Sequence, residues 1–184
     1  MNDTASDVLR SEHRLILQVT ETLEAVLDDW AAGDPPEPDR LADCVTFFRL
    51  FADACHHAKE EDLLFPEMES AGLPHDTGPI AVMLEEHRHG RLLVKGMGEA
   101  LPGVTTGLEE AKAAFDRNAR GYIGLIRGHI AKEDNVLFMM ADHLVQGAAC
   151  RELCEAYEHA DGCAFEDRTK AELEALAGRL ARRA

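Results

Sequence analysis

The chain has 184 residues, 46% of them hydrophobic, with 35 acidic residues against 19 Lys and Arg, a formal charge of −16. That charge would repel a phosphate backbone across most of the surface, which excludes a nucleic-acid partner, and no apolar run is long enough to span a bilayer. The length fits one domain, and abundant Ala, Leu, Glu and Arg with only 5% aromatics predict an all-α fold.

The opening residues MNDTASDVL are acidic, unlike a secretion signal with its basic and then apolar stretch. Five cysteines, Cys44, Cys55, Cys150, Cys154 and Cys163, have no disulfide rhythm. Together these features predict a cytoplasmic, reducing setting. The first periodic segment then places Leu9, His13, Ile16, Thr20, Leu23, Leu27 and Trp30 at steps of three and four, the mark of a helix with one buried seam. The proline-rich break AAGDPPEPD ends it.

A second helix is predicted from Asp39 to Glu69, with Leu41, Val45, Phe48, Ala52, His56, Glu60 and Leu63 on its inner face and a kink or end at Pro66. After SAGLPHDTG, Thr77 can cap and Pro79 can begin a third helix whose seam reads Ile80, Met83, His87, Gly90, Val94 and Met97. The fourth follows LPGVTTG and carries Phe115, Ala119, Tyr122, Ile126, His129, Glu133, Val136 and Met140. Four such helices joined by short turns predict an antiparallel up-down four-helix bundle over residues 1–146. Residues 147–184 are less regular; Thr169, Leu173, Leu176 and Leu180 predict an extra C-terminal helical segment that packs on the bundle or on a second subunit, as in a homodimer.

Within this pattern HHAKEEDLLFPEM at residues 56–68 returns as HIAKEDNVLFMMA at 129–141. Each copy sets a histidine four residues before a glutamate, so the two side chains share one helix face. A seam histidine on its own is usually a hydrogen-bonded core residue, but here every one of the four helices has one, and buried glutamates are rare unless paired or coordinated. His13, His56, Glu60, His87, His129 and Glu133 are therefore the candidate metal ligands. Four imidazoles and two carboxylates suit two metals bridged by both glutamates. Iron is the first choice, with manganese or zinc as alternatives.

His57 points about 100° round the helix from His56 and is expected at the surface or behind a ligand, and His89 cannot share the face of His87. Asp134 competes with Glu133 as a ligand, but five helical steps turn it about 140° away from His129, which favours Glu133 unless a π-bulge intervenes. Cys150, Cys154, His159 and Cys163 are read as a helical cap and not a second metal site. Gly121, Gly124 and Gly128 share a face where another helix, from the C-terminal segment or a second subunit, is expected to approach closely. Tyr122 is read as a core tyrosine and the methionines as core fillers.

The segments SEHRLI, FADACHHAKEEDLLFPEM, GPIAVMLEEHRHGR and GHIAKEDNVLF resemble the hemerythrin-like, or HHE cation-binding, family of di-iron four-helix bundles over about residues 5–145. The resemblance implies the same six ligands and a centre of two iron ions that meets dioxygen, peroxide or nitric oxide. Oxygen-carrying members have a further histidine four residues after the third-helix one, where this chain has Arg91. The resemblance therefore points away from reversible oxygen carriage and towards the branch with four histidines and two glutamates. That branch includes iron–sulfur cluster repair proteins, many with an N-terminal cysteine-bearing domain that is not seen here. A sensor or stress protein, a di-iron oxidoreductase and a purely structural bundle are the competing expectations; no catalytic residue is assigned.

Overall fold

The computed structural model describes residues 4–163 and 165–182. Six helical runs account for the fold: α1 (Ala5–Ala31), α2 (38–70), α3 (Gly78–Thr105), α4 (109–144), α5 (Ala148–Asp161) and α6 (Lys170–Ala181). Helix α1 opens on a capping box, in which the Thr4 hydroxyl accepts from the Asp7 N–H and the Asp7 carboxylate accepts from the Thr4 N–H. Thr169 and Glu172 do the same for α6. Thr77 begins α3 with an extended backbone but no side-chain cap, and Pro79 stands in the first turn.

Two hydrophobic clusters fix the topology. One holds Ile16 of α1, Cys55 of α2, Val94 of α3 and Ile126 of α4; the other holds Leu9, Leu64, Met83 and Leu137 of the same helices. Along α1 and α3 the chain passes from the second cluster to the first, and along α2 and α4 from the first to the second, which is the up-down-up-down order of an antiparallel four-helix bundle. Between the clusters lies a polar layer, with His13, His56, His87 and His129 all buried at that depth.

Helices α3 and α4 approach most closely where Gly96 faces Asn118 and Gly103 faces Ala111: a Cβ at either glycine would lie within 2.6 and 2.4 Å of those side chains. The expected contact at Gly121, Gly124 and Gly128 differs. A Cβ at Gly121 would come 3.2 Å from Leu93 of α3, whereas nothing lies within 4 Å at Gly124 or Gly128. The C-terminal helix instead sends Leu173, Leu176, Ala177 and Leu180 into the first cluster, against α1 and α2.

The seams also depart from a uniform 3.6 period. Both copies of the repeat contain a π-helical turn, Glu60–Leu64 and Glu133–Leu137, in which the N–H of Phe65 donates to the Glu60 carbonyl and that of Phe138 to the Glu133 carbonyl, five residues back. One extra residue per turn moves the seam on by one position. Leu64 and Leu137 are therefore buried where Leu63 and Val136 were expected, and Val136 is 51% exposed. Helix α2 runs on past Pro66 to Ser70; the π turn just before the proline is where its ladder changes.

Candidate metal centre

Each of the four seam histidines has one ring nitrogen turned in and one turned out. The inner Nε2 atoms face the two glutamates: His13 lies 3.2 Å from Glu133 Oε2, His56 3.6 Å from Glu60 Oε1, His87 3.4 Å from Glu60 Oε2, and His129 3.2 Å from Glu133 Oε1. His87 Nε2 is also 3.9 Å from Glu133 Oε1 and 3.1 Å from His129 Nε2. Both glutamates thus span the gap between helix pairs.

Every outer Nδ1 meets a carboxylate from another helix. Glu12 holds His56 at 2.9 Å, Asp134 holds His13 at 2.8 Å, Glu61 holds His87 at 2.6 Å and Glu86 holds His129 at 3.0 Å. A carboxylate accepting from Nδ1–H leaves the Nε2 lone pair pointing inward and fixes the ring, which is how metal-ligating histidines are usually oriented. Asp134 is therefore a clamp on His13, while Glu133 is fully buried and points into the layer.

The four clamps follow a rule visible in the sequence. Glu12 and His13 form an Glu-His pair on α1, and Glu86 and His87 form another on α3. In each, the glutamate holds the histidine of the next long helix, and the histidine is held by the acid that follows Glu133 or Glu60. The lysine inside each repeat completes the clamp: Lys59 donates to Glu12 and Lys132 to Glu86. These lysines and acids were missed by the sequence reading, although the repeated Glu-His pairs and the Lys in both copies of the repeat were the signal.

His57 is the main correction. Of the two places expected for it, the surface is ruled out: it is buried, with its ring stacked on the ligand candidate His87 at 3.9 Å between centroids, and it stands in one of the buried donor sets. The π-helical stretch Phe48–His57, closed by an Ala58 N–H donating to the Asp53 carbonyl, is wide enough for His56 and His57 both to face inward. His89 is exposed, as its spacing from His87 required. Arg91, at the position where oxygen carriers have a histidine, stays outside the layer, donating from Nε to Asp53 at 2.7 Å and from Nη2 to Glu61 at 2.8 Å.

Two sets of buried donors result, each with ligand atoms within 4.8 Å of one another: His13, His56, Glu60 and Glu133, and His57, Glu60, His87 and His129. Glu60 belongs to both. His13 Nε2, His56 Nε2, both nitrogens of His57 and all four carboxylate oxygens of Glu60 and Glu133 are buried without a hydrogen-bond partner. Native interiors rarely leave even a few such atoms unsatisfied, and two adjacent carboxylates in an apolar core are costly unless a cation neutralises them. Burial and the adjacent Glu133 carboxylate push the Glu60 carboxyl well above its ordinary range. Burial likewise takes His56 down to about 4 and His57 well down, so both are neutral imidazoles able to offer lone pairs. The donor set fits a pair of divalent or trivalent metals of the imidazole-and-carboxylate type.

A family model, the hemerythrin HHE cation-binding domain, matches residues 4–141. The chain belongs to that family. Its similar curated relatives include uncharacterised proteins of Mycobacterium tuberculosis and Mycobacterium bovis, 27% identical over 163 residues, which cover 84% of this chain. The chain spans 60% of the length of those relatives. No solved structure gives a significant match. Membership of a cation-binding family and the buried donor layer agree on metal binding. Among the described residues no helix is long and apolar enough to cross a membrane.

Proposed function

We propose that this hemerythrin-like protein holds two iron ions in the polar layer and uses them to bind or react with a small oxidant, dioxygen, peroxide or nitric oxide, in sensing, stress response or iron handling in the cytoplasm. The observation that carries the reading is the convergence of eight unpartnered imidazole and carboxylate atoms, contributed by α1, α2 and α4, into two donor sets that share Glu60. His13 and His56 would hold one metal and His57, His87 and His129 the other; Glu60 stands in both donor sets, and Glu133 reaches His13 with one oxygen and His129 with the other. Mixed nitrogen and oxygen donors without thiolate favour iron over structural zinc, and manganese remains the chemical alternative.

Bound iron would supply coordination and electron transfer to a small ligand. The chain's own part is to hold seven donors rigid, to keep the outer nitrogens of His13, His56, His87 and His129 clamped by carboxylates, and to exclude water by the two apolar clusters above and below. The donor sets are unequal in kind, two imidazoles on one side against three on the other, so the two metals would meet different surroundings. That inequality also favours a second reading, a di-iron oxidoreductase that turns over peroxide or nitric oxide.

Protein produced in iron-rich medium should contain two iron ions per chain and absorb in the near ultraviolet, with a spectrum that changes on adding peroxide or nitric oxide. Stoichiometric zinc with no response to either ligand would overturn the proposal. Steady-state consumption of peroxide or nitric oxide by the same sample separates the enzyme from the sensor.

A further inference from the structure

The repeat relates the two halves of the bundle, and the relation extends to their outer faces. On the first half, α5 packs against α1 and the Glu60–Leu64 turn, buries Leu153 and Tyr157 in the second cluster, and sets Asp161 2.5 Å from Lys59. There Val8, four residues before Glu12, and Leu63, four after Lys59, are half-buried against that cluster. The same counting from Glu86 and Lys132 gives Val82 on α3 and Val136 on α4. These two are 45% and 51% exposed, and Met139, one turn beyond Val136, is 62% exposed. Three of the five large hydrophobic side chains exposed among the described residues therefore lie on the face that corresponds to the one α5 covers.

Charge carries the likeness further. On the covered face the C-terminal segment adds one group of each sign to the Glu12 and Lys59 pair: Asp161 meets Lys59, and Lys170 donates to Glu12. In the matching places Lys132 donates to Glu86, which also holds His129, and Lys132 is exposed. An ammonium with three donors and a carboxylate with two oxygens can each take a further partner of opposite sign. Beside them a hollow of about 450 Å3, lined by Leu73, Val136, Met139, Met140 and Leu144, has room for a bulky apolar side chain. An apolar strip ended by a charged pair is the usual form of a contact surface.

We propose that the outer face of α3 and α4 is a docking site for an amphipathic helix of another protein, seated there as α5 is seated on α1 and α2. Helix α5 gives the pattern such a partner must carry: two apolar residues four apart, as Leu153 and Tyr157 are, and an acid four further on, as Asp161 is. That spacing puts all three on one helix face. The apolar pair meets Val82, Val136 and Met139, the acid meets Lys132, and a basic group beyond it meets Glu86, as Lys170 meets Glu12. Apolar contact supplies the affinity; the charges fix the direction, antiparallel to α4, since the reverse orientation would set the acid against Met139. The site does not depend on a bound metal or on the proposed function above.

The test uses the full-length protein and a fluorescent peptide of the α5 sequence, residues 148–161, with Cys150→Ala and Cys154→Ala and a staple on its polar face, because so short a helix is marginal alone. Saturable binding by anisotropy is expected. Val136→Glu and Met139→Glu, at solvent-facing positions, should weaken it by about tenfold or more. Lys132→Glu should weaken it severalfold, and a peptide with Asp161→Lys should recover the loss on that variant. A photo-crosslinker at peptide position 157 should attach to α4 around Val136 and Met139. No saturable binding, equal affinity in the folded Val136→Glu and Met139→Glu variants, or cross-links to Val8 and Leu63, which mean exchange with the resident α5, would overturn the proposal. Sedimentation adds one more outcome: a dimer that Met139→Glu disperses would assign this face to a second copy of the chain and overturn it equally.

Discussion

In the first copy of the repeat the clamp of His56, Glu12 and Lys59 is sealed in the interior; in the second the equivalent clamp of His129, Glu86 and Lys132 reaches solvent. Glu12 and Lys59 are 2% and 1% exposed, Glu86 and Lys132 19% and 45%. The cause is the C-terminal segment, which covers only the first copy. Asp161 at the end of α5 lies 2.5 Å from Lys59, and Lys170 at the start of α6 donates to Glu12 at 2.6 Å and Asp161 at 2.7 Å. One local motif thus produces the same ligand geometry in two dielectric settings, and a salt bridge that is optional at the surface becomes obligatory once buried.

The most drastic way to break the pairing is to remove what both halves share. Glu60→Gln should reduce metal content from two ions per chain towards none, because Glu60 belongs to both donor sets. Without metal the sign reverses. The apo variant should be more stable than apo wild type by about 1–3 kcal/mol, since it no longer forces two carboxyl groups together in an apolar core. Metal analysis with urea unfolding, each with and without chelator, checks both; a variant that is destabilised in both states would mean the glutamate is only a packing residue.

The next contrast is between the clamps. Glu12→Ala leaves the buried Lys59 ammonium with Asp161 alone and takes the acceptor from His56, and should cost about 1.5–3 kcal/mol, whereas Glu86→Ala, with solvent available to Lys132, should cost about 1 kcal/mol or less. Burial alone would raise the Glu12 carboxyl, but His56, Lys59 and Lys170 outweigh it and hold it well below the ordinary 4.5. A depressed folded-state value means that stability from ionised Glu12 is present above about pH 4.5 and is lost as the pH falls below it. Urea midpoints of the chelated protein should therefore drop steeply on the acid side in wild type and less steeply in Glu12→Gln. Equal costs for the two alanine variants would remove the distinction between sealed and open clamp.

Which parts of this were legible beforehand follows from what periodicity can see. A 3.6-residue repeat of apolar positions placed His13, His56, Glu60, His87, His129 and Glu133 on inner faces, and all six are buried. It could not see the π turns, which leave no mark in composition, so it put Val136 and Leu63 where Leu137 and Leu64 stand and left His57 off the inner face. It also could not see the clamps, because Glu12, Glu61, Glu86 and Asp134 matter through partners on other helices, from 26 to 121 residues away. The glycines were misjudged for a related reason: a shared helix face says that space exists, not whether a neighbour fills it.

His57 also marks where the two copies cease to be equivalent, since the second has Ile130 at the matching position. His57→Ile would make them alike, leaving two imidazoles on each side. The metal served by His87 and His129 should then bind more weakly by about 10–100-fold, comparable to the loss of an outer-shell partner or somewhat larger, while the other is retained. Competition against a calibrated chelator should show two equal sites in the variant where wild type shows two unequal ones. Two unequal sites in both proteins would mean that His57 is no ligand.

The smallest expected effect concerns Tyr157, which the C-terminal segment contributes to the second cluster. Its hydroxyl is buried with no hydrogen-bond partner, and burial followed by the charges of Glu60 and Glu12 keeps it protonated. An unsatisfied buried hydroxyl is a liability of about 1 kcal/mol or more, so Tyr157→Phe should leave the chelated protein equally stable or up to about 1 kcal/mol more stable. The sealed half of the molecule makes that cost informative. If the hydroxyl donates to a small ligand on the His13 and His56 side, the same variant should weaken peroxide or nitric oxide binding to the metal-loaded protein severalfold with metal content unchanged. If affinity is unaltered, the hydroxyl serves packing alone, and the C-terminal segment acts on the site only through Asp161 and Lys170.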